Sequence, residues 1–316
     1  MPAVIAHRGA CGYLPEHTLP AKAMAYAMGA DFLEQDVVAT RDDELVVLHD
    51  IHLDRVTDVA AVYPDRARRD GRYYVRDFDL EEIRTLRVTE RLDDEGRPVY
   101  PGRFPPHTGG FRVHTLGDEL ALVAGMNQAT GRKTGVYPEI KRPAWHIEEG
   151  IDISVAFLEV LAAHGYVGPE DPIFVQCFDA SELVRVRHEL GCRMRLVQLI
   201  GENSWGEADT DYDFLRTPGG LAELARTVDA IGPWVSQLYV PGAAGQAPRS
   251  TGLTEQSRGA GLLVHPFTFR ADDLAPGFDS FANMVRYFCA DLAVDGLFTD
   301  FPDQVRQLLN DWADGR

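Results

Sequence analysis

The chain alternates short apolar, β-branched runs with helical stretches from its first residues almost to its last, and few folds accommodate that rhythm. The apolar runs are Val4–His7, Phe32–Val38, Leu45–His49, Val136–Lys141, Ile173–Phe178, Leu196–Ile200, Val235–Val240, Leu262–Pro266 and Leu297–Phe301. Helical patterns fall between several of them, at Pro20–Met28, Asp118–Gln128, Ile153–His164, Ala180–Glu189, Leu221–Ala230 and Phe281–Asp291. Sustained strand–helix alternation implies a parallel α/β architecture. Continuously apolar strands fit a sheet whose outer face is covered by helices. Between Val38 and Leu45 lie only Ala39-Thr40-Arg41-Asp42-Asp43-Glu44, too few residues for a parallel crossover, so that connection reads as a hairpin. Setting the return strand aside leaves eight parallel strands. The expected fold is therefore a single-domain (β/α)₈ TIM-type barrel, a size class that fits 316 residues when one loop carries an insertion.

That insertion is expected at about 51–113, after the second barrel strand and its hairpin. There the alternation breaks into Tyr63-Pro64, Arg66–Arg69, Tyr73-Tyr74 and Pro98–Pro106, with one helical piece near Leu80–Thr89. Mouth loops carry specificity in barrels, so this segment is expected to roof the mouth. Composition narrows the partners. A formal charge of −18 repels nucleic acid and anionic membrane, and no apolar run approaches the roughly 20 residues of a bilayer span. Neither nucleic acid nor stable membrane insertion is expected, and the residues carry no signal for oligomeric state. Cys11, Cys177, Cys192 and Cys289 lack metal-ligand spacing and are expected to be reduced, mostly buried thiols. His7 follows the first residue too closely for a leader to precede it. The expected location is cytoplasmic as the sequence stands, and periplasmic or secreted if a signal peptide once preceded it.

Polar residues of useful types sit at successive strand ends, where barrel enzymes keep their chemistry. His7-Arg8-Gly9 closes the first run. His7 exchanges a proton near neutral pH, Arg8 offers a planar fork for phosphate oxygens, and Gly9 permits a sharp turn. Glu34 and Asp36 share one strand face, and two buried acids side by side call for a divalent cation with oxygen ligands. Centring the hairpin on Asp42-Asp43 makes paired positions sum to 85, which sets His49 opposite Asp36. Asp50 either orients that imidazole or begins a loop. Glu139 and Lys141 share a face, adding a third carboxylate and a cation for phosphate. His7 and His49 together supply the acid and the base that phosphodiester cleavage requires. Each motif alone has a bland reading as a loop or a solvated pair; the ordered set carries the inference.

The set resembles the glycerophosphodiester phosphodiesterase family, whose pattern runs H-R-G, P-E-N-T, E-x-D, H-D and E-I-K. This chain has His7-Arg8-Gly9, Pro15-Glu16-His17-Thr18, Glu34-Gln35-Asp36, His49-Asp50 and Glu139-Ile140-Lys141. Asp295-Gly296-Leu297-Phe298-Thr299-Asp300-Phe301-Pro302 is similar to the family's closing D-G-x-x-T-D-x-P. His17 in place of Asn, and Val264-His265-Pro266-Phe267-Thr268, resemble the bacterial branch acting on small glycerophosphodiesters. The role of His17 stays open, while Thr18 is expected to cap the following helix.

The resemblance implies metal ligands at Glu34, Asp36 and Glu139, an acid–base pair at His7 and His49, and phosphate contacts from Arg8 and Lys141. Gln176, Phe178, Gln198, His265 and Phe298 lie near later strand ends and are expected to line a glycerol pocket. The implied cofactor is one divalent cation, Ca²⁺ in preference to Mg²⁺, although oxygen ligands by themselves suit either. The implied reaction is metal-dependent hydrolysis of diesters such as glycerophosphocholine or glycerophosphoethanolamine to sn-glycerol 3-phosphate and an alcohol. One histidine would deprotonate a glycerol hydroxyl for attack on phosphorus, forming a cyclic phosphate, and the other would protonate the departing alcohol. Direct attack by water is the competing route. A phosphodiesterase for lysophospholipid or phosphoinositide headgroups would want an apolar or basic rim, and a non-catalytic sugar-phosphate binder would not need two histidines.

Overall fold

The computed structural model describes residues 1–242 and 246–315. Its strands in chain order are β1 (Ala3–Ala6), β2 (Phe32–Ala39), β3 (Leu45–Val47), β4 (Gly135–Ile140), β5 (Phe174–Cys177), β6 (Arg195–Ile200), β7 (Ala230–Pro233), β8 (Tyr239–Val240), β9 (Arg249–Ser250), β10 (Leu263–Val264) and β11 (Gly296–Thr299). Strand β3 folds back antiparallel on β2, and β8 pairs only with β9. The other eight are parallel, in the order β10-β7-β6-β5-β4-β2-β1-β11. Backbone hydrogen bonds draw the two ends together, from Asp295 N–H to the Val264 carbonyl and from Phe298 N–H to the Pro266 carbonyl, both 3.0 Å. The result is a nearly closed eight-stranded barrel with helices between its strands. No helix among the described residues is long and apolar enough to cross a membrane.

Helix boundaries follow local chemistry. The Thr18 hydroxyl accepts from Ala21 N–H at 3.3 Å and starts the helix Leu19–Ala27, with Pro20 in the first turn. Thr115 and Asp118 close a capping box at the start of Leu116–Thr130, and Asp179 caps Ala180–His188. One expectation fails. Residues Val235–Val240, read as a strand, form a tight turn followed by β8; the barrel strand is Ala230–Pro233, where a helix end was expected. The Gly232-Pro233 pair reads as a turn, yet both residues suit this strand. A Cβ on Gly232 would come 2.7 Å from Leu199 Cδ2, and Pro233 closes the strand with its carbonyl accepting from Phe267 N–H at 3.1 Å.

The hairpin differs by one residue from its expected register. Val37 pairs with Val47, Val38 with Val46 and Ala39 with Leu45, so paired positions sum to 84 and not 85. The loop is three residues, Arg41-Asp42-Asp43, with Asp43 left-handed at φ 62°, in place of a two-residue turn. Such a slip reverses a strand's faces. Because β3 stops at Val47, His49 lies beyond the ladder, and the chain still brings it to the barrel mouth.

Ile5, Tyr137, Phe174, Val197, Ala230 and Phe298 pack the barrel's centre, so its interior is a solid layer and the open end lies at the strands' carboxyl termini. From Ile51 to Val113 a separate apolar cluster forms, including Leu53, Val75, Phe78 and Ile83, seated on Val38, Val46 and Leu48 of the hairpin.

Candidate active site

Strand register assembles the acidic centre. Glu34 and Asp36 project from one face of β2; Asp36 lies beside Glu139 on β4, and Glu139 beside Gln176 on β5. Ligand oxygens of Glu34, Asp36 and Glu139 all come within 4.8 Å of one another, and all three side chains are buried. Burial and the neighbouring Asp36 push the carboxyls of Glu34 and Glu139 upward, the latter strongly. Asp36 moves the other way: burial opposes ionisation, but Lys141, His17 and His49 outweigh it and hold the group well below the usual carboxylate range. Asp36 Oδ1 is buried without a hydrogen-bond partner. Three crowded carboxylates, one with an unsatisfied oxygen, fit a hard divalent cation.

Strands β1 and β11 place the first histidine. His7 follows β1, and its Nδ1 lies 2.6 Å from Asp300 Oδ1, just past β11. Asp300 Oδ2 accepts from Arg103 at 2.7 Å and Arg270 at 3.0 Å. Burial works against its charge, yet Arg270, His7 and Arg103 keep it far below the ordinary carboxylate range. The second histidine is built alike. His49 Nδ1 lies 2.6 Å from Asp50 Oδ1, and Asp50 Oδ2 accepts from Arg91 at 2.7 Å. Asp50 thus orients the imidazole, the alternative the sequence left open. Burial, Arg8 and Lys141 draw His49 down to about 3, so it is neutral at ordinary pH. In both rings the carboxylate holds Nδ1, which leaves Nε2 as the other nitrogen able to give or take a proton.

Arg8 is left-handed at φ 55°, and Gly9 follows at φ 92° in a place where a Cβ would come 2.9 Å from the Ala21 backbone. This turn lets Arg8 N–H donate to Glu34 Oε2 at 2.6 Å while the guanidinium meets Glu16 at 3.0 Å. His17 acquires a definite contact as well, its Nε2 lying 2.7 Å from Asp36 Oδ2.

His7, Arg8, Glu34, Asp36, His49, Glu139, Gln176, Phe178 and Phe298 line one cleft of about 690 Å³, measured with its open mouth. Three expected residues lie outside it. Lys141 instead turns to Glu139, with Nζ 2.9 Å from Oε1. Gln198 is buried and donates to the Phe178 and Leu199 carbonyls, each at 2.8 Å. His265 sits in the barrel interior with Nδ1 2.7 Å from the Tyr137 hydroxyl.

A family model for glycerophosphoryl diester phosphodiesterases matches residues 7–304, nearly the whole chain. The chain belongs to that family. A glycerophosphodiester phosphodiesterase of Haemophilus influenzae is 41% identical, the match covering 95% of this chain and 87% of that protein. One of Treponema pallidum is 36% identical over 95% of this chain and 89% of its own length. Among solved structures, a glycerophosphoryl diester phosphodiesterase assignment from Silicibacter pomeroyi superposes with a TM-score of 0.73 at 24% identity, covering 99% of this chain and 94% of that one. An Oleispira antarctica phosphodiesterase, solved with the product sn-glycerol-3-phosphate, superposes with a TM-score of 0.66 at 19% identity, covering 98% and 97%. These two structures speak to the fold.

In this phosphodiesterase several cleft residues escaped the sequence reading: Trp205, Trp234, Phe267, Thr268 and Arg270. Phe267 and Thr268 were within reach, since they continue the motif that begins at Val264. Asp300 stands in the closing D-G-x-x-T-D-x-P motif without a role being legible there, and Arg270 lacked such a signal; both act through contacts made across the chain, 293 residues apart for His7 with Asp300.

Proposed function

We propose that this enzyme hydrolyses glycerophosphodiesters, such as glycerophosphoethanolamine or glycerophosphocholine, to sn-glycerol 3-phosphate and an alcohol. The observation that carries the reading is two imidazoles, each backed by a carboxylate at Nδ1, lining one cleft with a three-carboxylate cluster. A divalent cation held by Glu34, Asp36 and Glu139, Ca²⁺ by preference, would supply charge neutralisation at the phosphate and acidify a nearby hydroxyl. Arg8 and Arg270 would hold phosphate oxygens. Neutral His49, with Nε2 free, would take the proton of the attacking hydroxyl. His7, kept in register by Asp300, would give its proton to the departing alcohol. The resulting cyclic phosphate would then open with water as the two histidines exchange roles. Phe178 and Phe298 would pack the glycerol carbons, with Gln176 beside them.

Release of glycerol 3-phosphate from several glycerophosphodiesters, followed by a coupled assay with and without chelator, tests this. Chelation should abolish turnover, and Glu34→Gln, Asp36→Asn or Glu139→Gln should each weaken metal binding in calorimetry. Full activity after prolonged dialysis against excess chelator would remove the metal from the mechanism.

A further inference from the structure

A second compartment adjoins the cleft. His7, Arg8, His49 and Arg270 line both, so the groups assigned to phosphate and proton transfer form the wall between them. Its far side comes from the 51–113 segment, where Glu90-Arg91 and Val99-Tyr100 stand on two arms joined by the Arg91–Val99 backbone hydrogen bond of 3.0 Å. A diester with glycerol against Phe178 and Phe298 and phosphorus at the shared wall has its second ester oxygen facing this compartment.

The charges of the compartment are matched except at one place. Glu16 takes Arg8 and Arg91, Asp50 takes Arg91, and Asp300 takes Arg103 and Arg270. Asp272 takes the remaining side of Arg103. Four guanidiniums are thereby paired with four carboxylates. Glu90 is the carboxylate left over. It is 4% exposed, and its Oε2 has no hydrogen-bond partner. A buried unsatisfied oxygen of this kind costs stability unless something brings it a donor.

We infer that this compartment receives the departing alcohol and that Glu90 binds a primary ammonium there, so the enzyme favours ethanolamine-type headgroups. The inference rests on the hydrolysis proposed above. An ammonium supplies both the missing N–H donor and the missing positive charge. Burial and Glu16, with Asp300, push the Glu90 carboxyl up to about 8 against the pull of Arg103, and an incoming cation would favour its charged form. A quaternary ammonium fits less well, because it has no N–H and depends on open aromatic faces. Tyr100 is the aromatic residue of that wall, and the Arg103 guanidinium already stands 3.7 Å from its ring centroid. A neutral polyol headgroup would bring hydroxyls but no charge.

The test compares kcat/KM for glycerophosphoethanolamine, glycerophosphocholine and glycerophosphoglycerol in the metal-loaded wild type and in Glu90→Gln. Each result is read as a ratio between substrates, which does not depend on how much of a variant is folded. Wild type should prefer glycerophosphoethanolamine. Glu90→Gln should lower its advantage over glycerophosphoglycerol by about tenfold, the scale of one charge-assisted hydrogen bond, and Glu90→Asp should restore part of it. Unchanged ratios in Glu90→Gln would overturn the headgroup assignment and leave the hydrolysis standing. So would an equal loss on glycerophosphoglycerol, which would make Glu90 a hydroxyl acceptor. No turnover of any diester by wild type would overturn the hydrolysis, and the headgroup assignment with it.

Discussion

An imidazole is useful in catalysis when its tautomer is fixed and its working nitrogen faces the substrate, and here two carboxylates do the fixing. Because Asp300 and Asp50 each occupy an Nδ1, removing either carboxylate should matter almost as much as removing the ring it holds. His7→Ala and His49→Ala should each lower kcat by about 10² to 10⁴, the usual scale of positioned proton transfer, and the double variant should lose little more than one alone. A nitrophenyl ester leaves without a proton. It should therefore rescue His7→Ala and not His49→Ala; rescue of His49→Ala alone would exchange the two roles. Asp300→Asn should likewise reduce kcat by roughly a hundredfold with KM less affected, and near-normal turnover would show that His7 needs no orienting partner. At this scale the sequence displayed the side chains proposed to react and hid their supports. His7, Glu34, Asp36, His49 and Glu139 stand beside apolar strand residues that betray their setting. Arg91, Arg103 and Arg270 act through ion pairs that no local pattern announces, and the closing motif that contains Asp300 does not say which ring it holds.

Secondary elements were more legible where their signals were local. Thr18 with Pro20, and Thr115 with Asp118, announce helix starts by side-chain chemistry alone. The β7 strand was missed because its Gly-Pro pair answers to packing against Leu199, which only the folded barrel reveals. The hairpin register was missed because three-residue and two-residue loops use the same kinds of residue, and φ at Asp43 decides between them. The 51–113 segment shows the same dependence on tertiary contact. It covers Val38, Val46 and Leu48, and it delivers Arg91 to Asp50 and Arg103 to Asp300. Replacing it with a short linker should therefore do two things at once. Uncovering those three apolar side chains should cost several kcal/mol, at about 1.5–3 kcal/mol each, and lower the thermal midpoint. Loss of the two arginines should reduce turnover of every diester. An excised protein with unchanged midpoint and unchanged turnover would show that the segment is a passive appendage.

Over the whole molecule, buried neutral histidines tie stability to pH. Two of them make their hydrogen bonds to partners other than the three clustered carboxylates. His146 has Nδ1 3.0 Å from the Arg142 carbonyl, while its Nε2 accepts from Ala39 N–H at 3.1 Å, so a second proton would break that contact. Burial chiefly, with Arg76 nearby, lowers His146 to about 4, and burial with Arg195 does the same for His265. The sign follows from linkage. Between the unfolded value of about 6.5 and the folded value of about 4, the unfolded chain binds more protons than the folded one. Each histidine's contribution is thus fully present above pH 6.5 and drains away as pH falls, at up to about 1.4 kcal/mol per pH unit. His265→Gln keeps a polar partner for the Tyr137 hydroxyl but does not titrate. Urea unfolding of both proteins at pH 7 and pH 5, in about 0.15 M salt to screen the net charge of −18, isolates the effect, since every other titration is common to both. The variant should be less stable than wild type at pH 7, and that deficit should shrink by about 1–2 kcal/mol at pH 5. A deficit that stays constant between the two pH values would mean that His265 takes up its proton in the folded barrel as readily as in the unfolded chain.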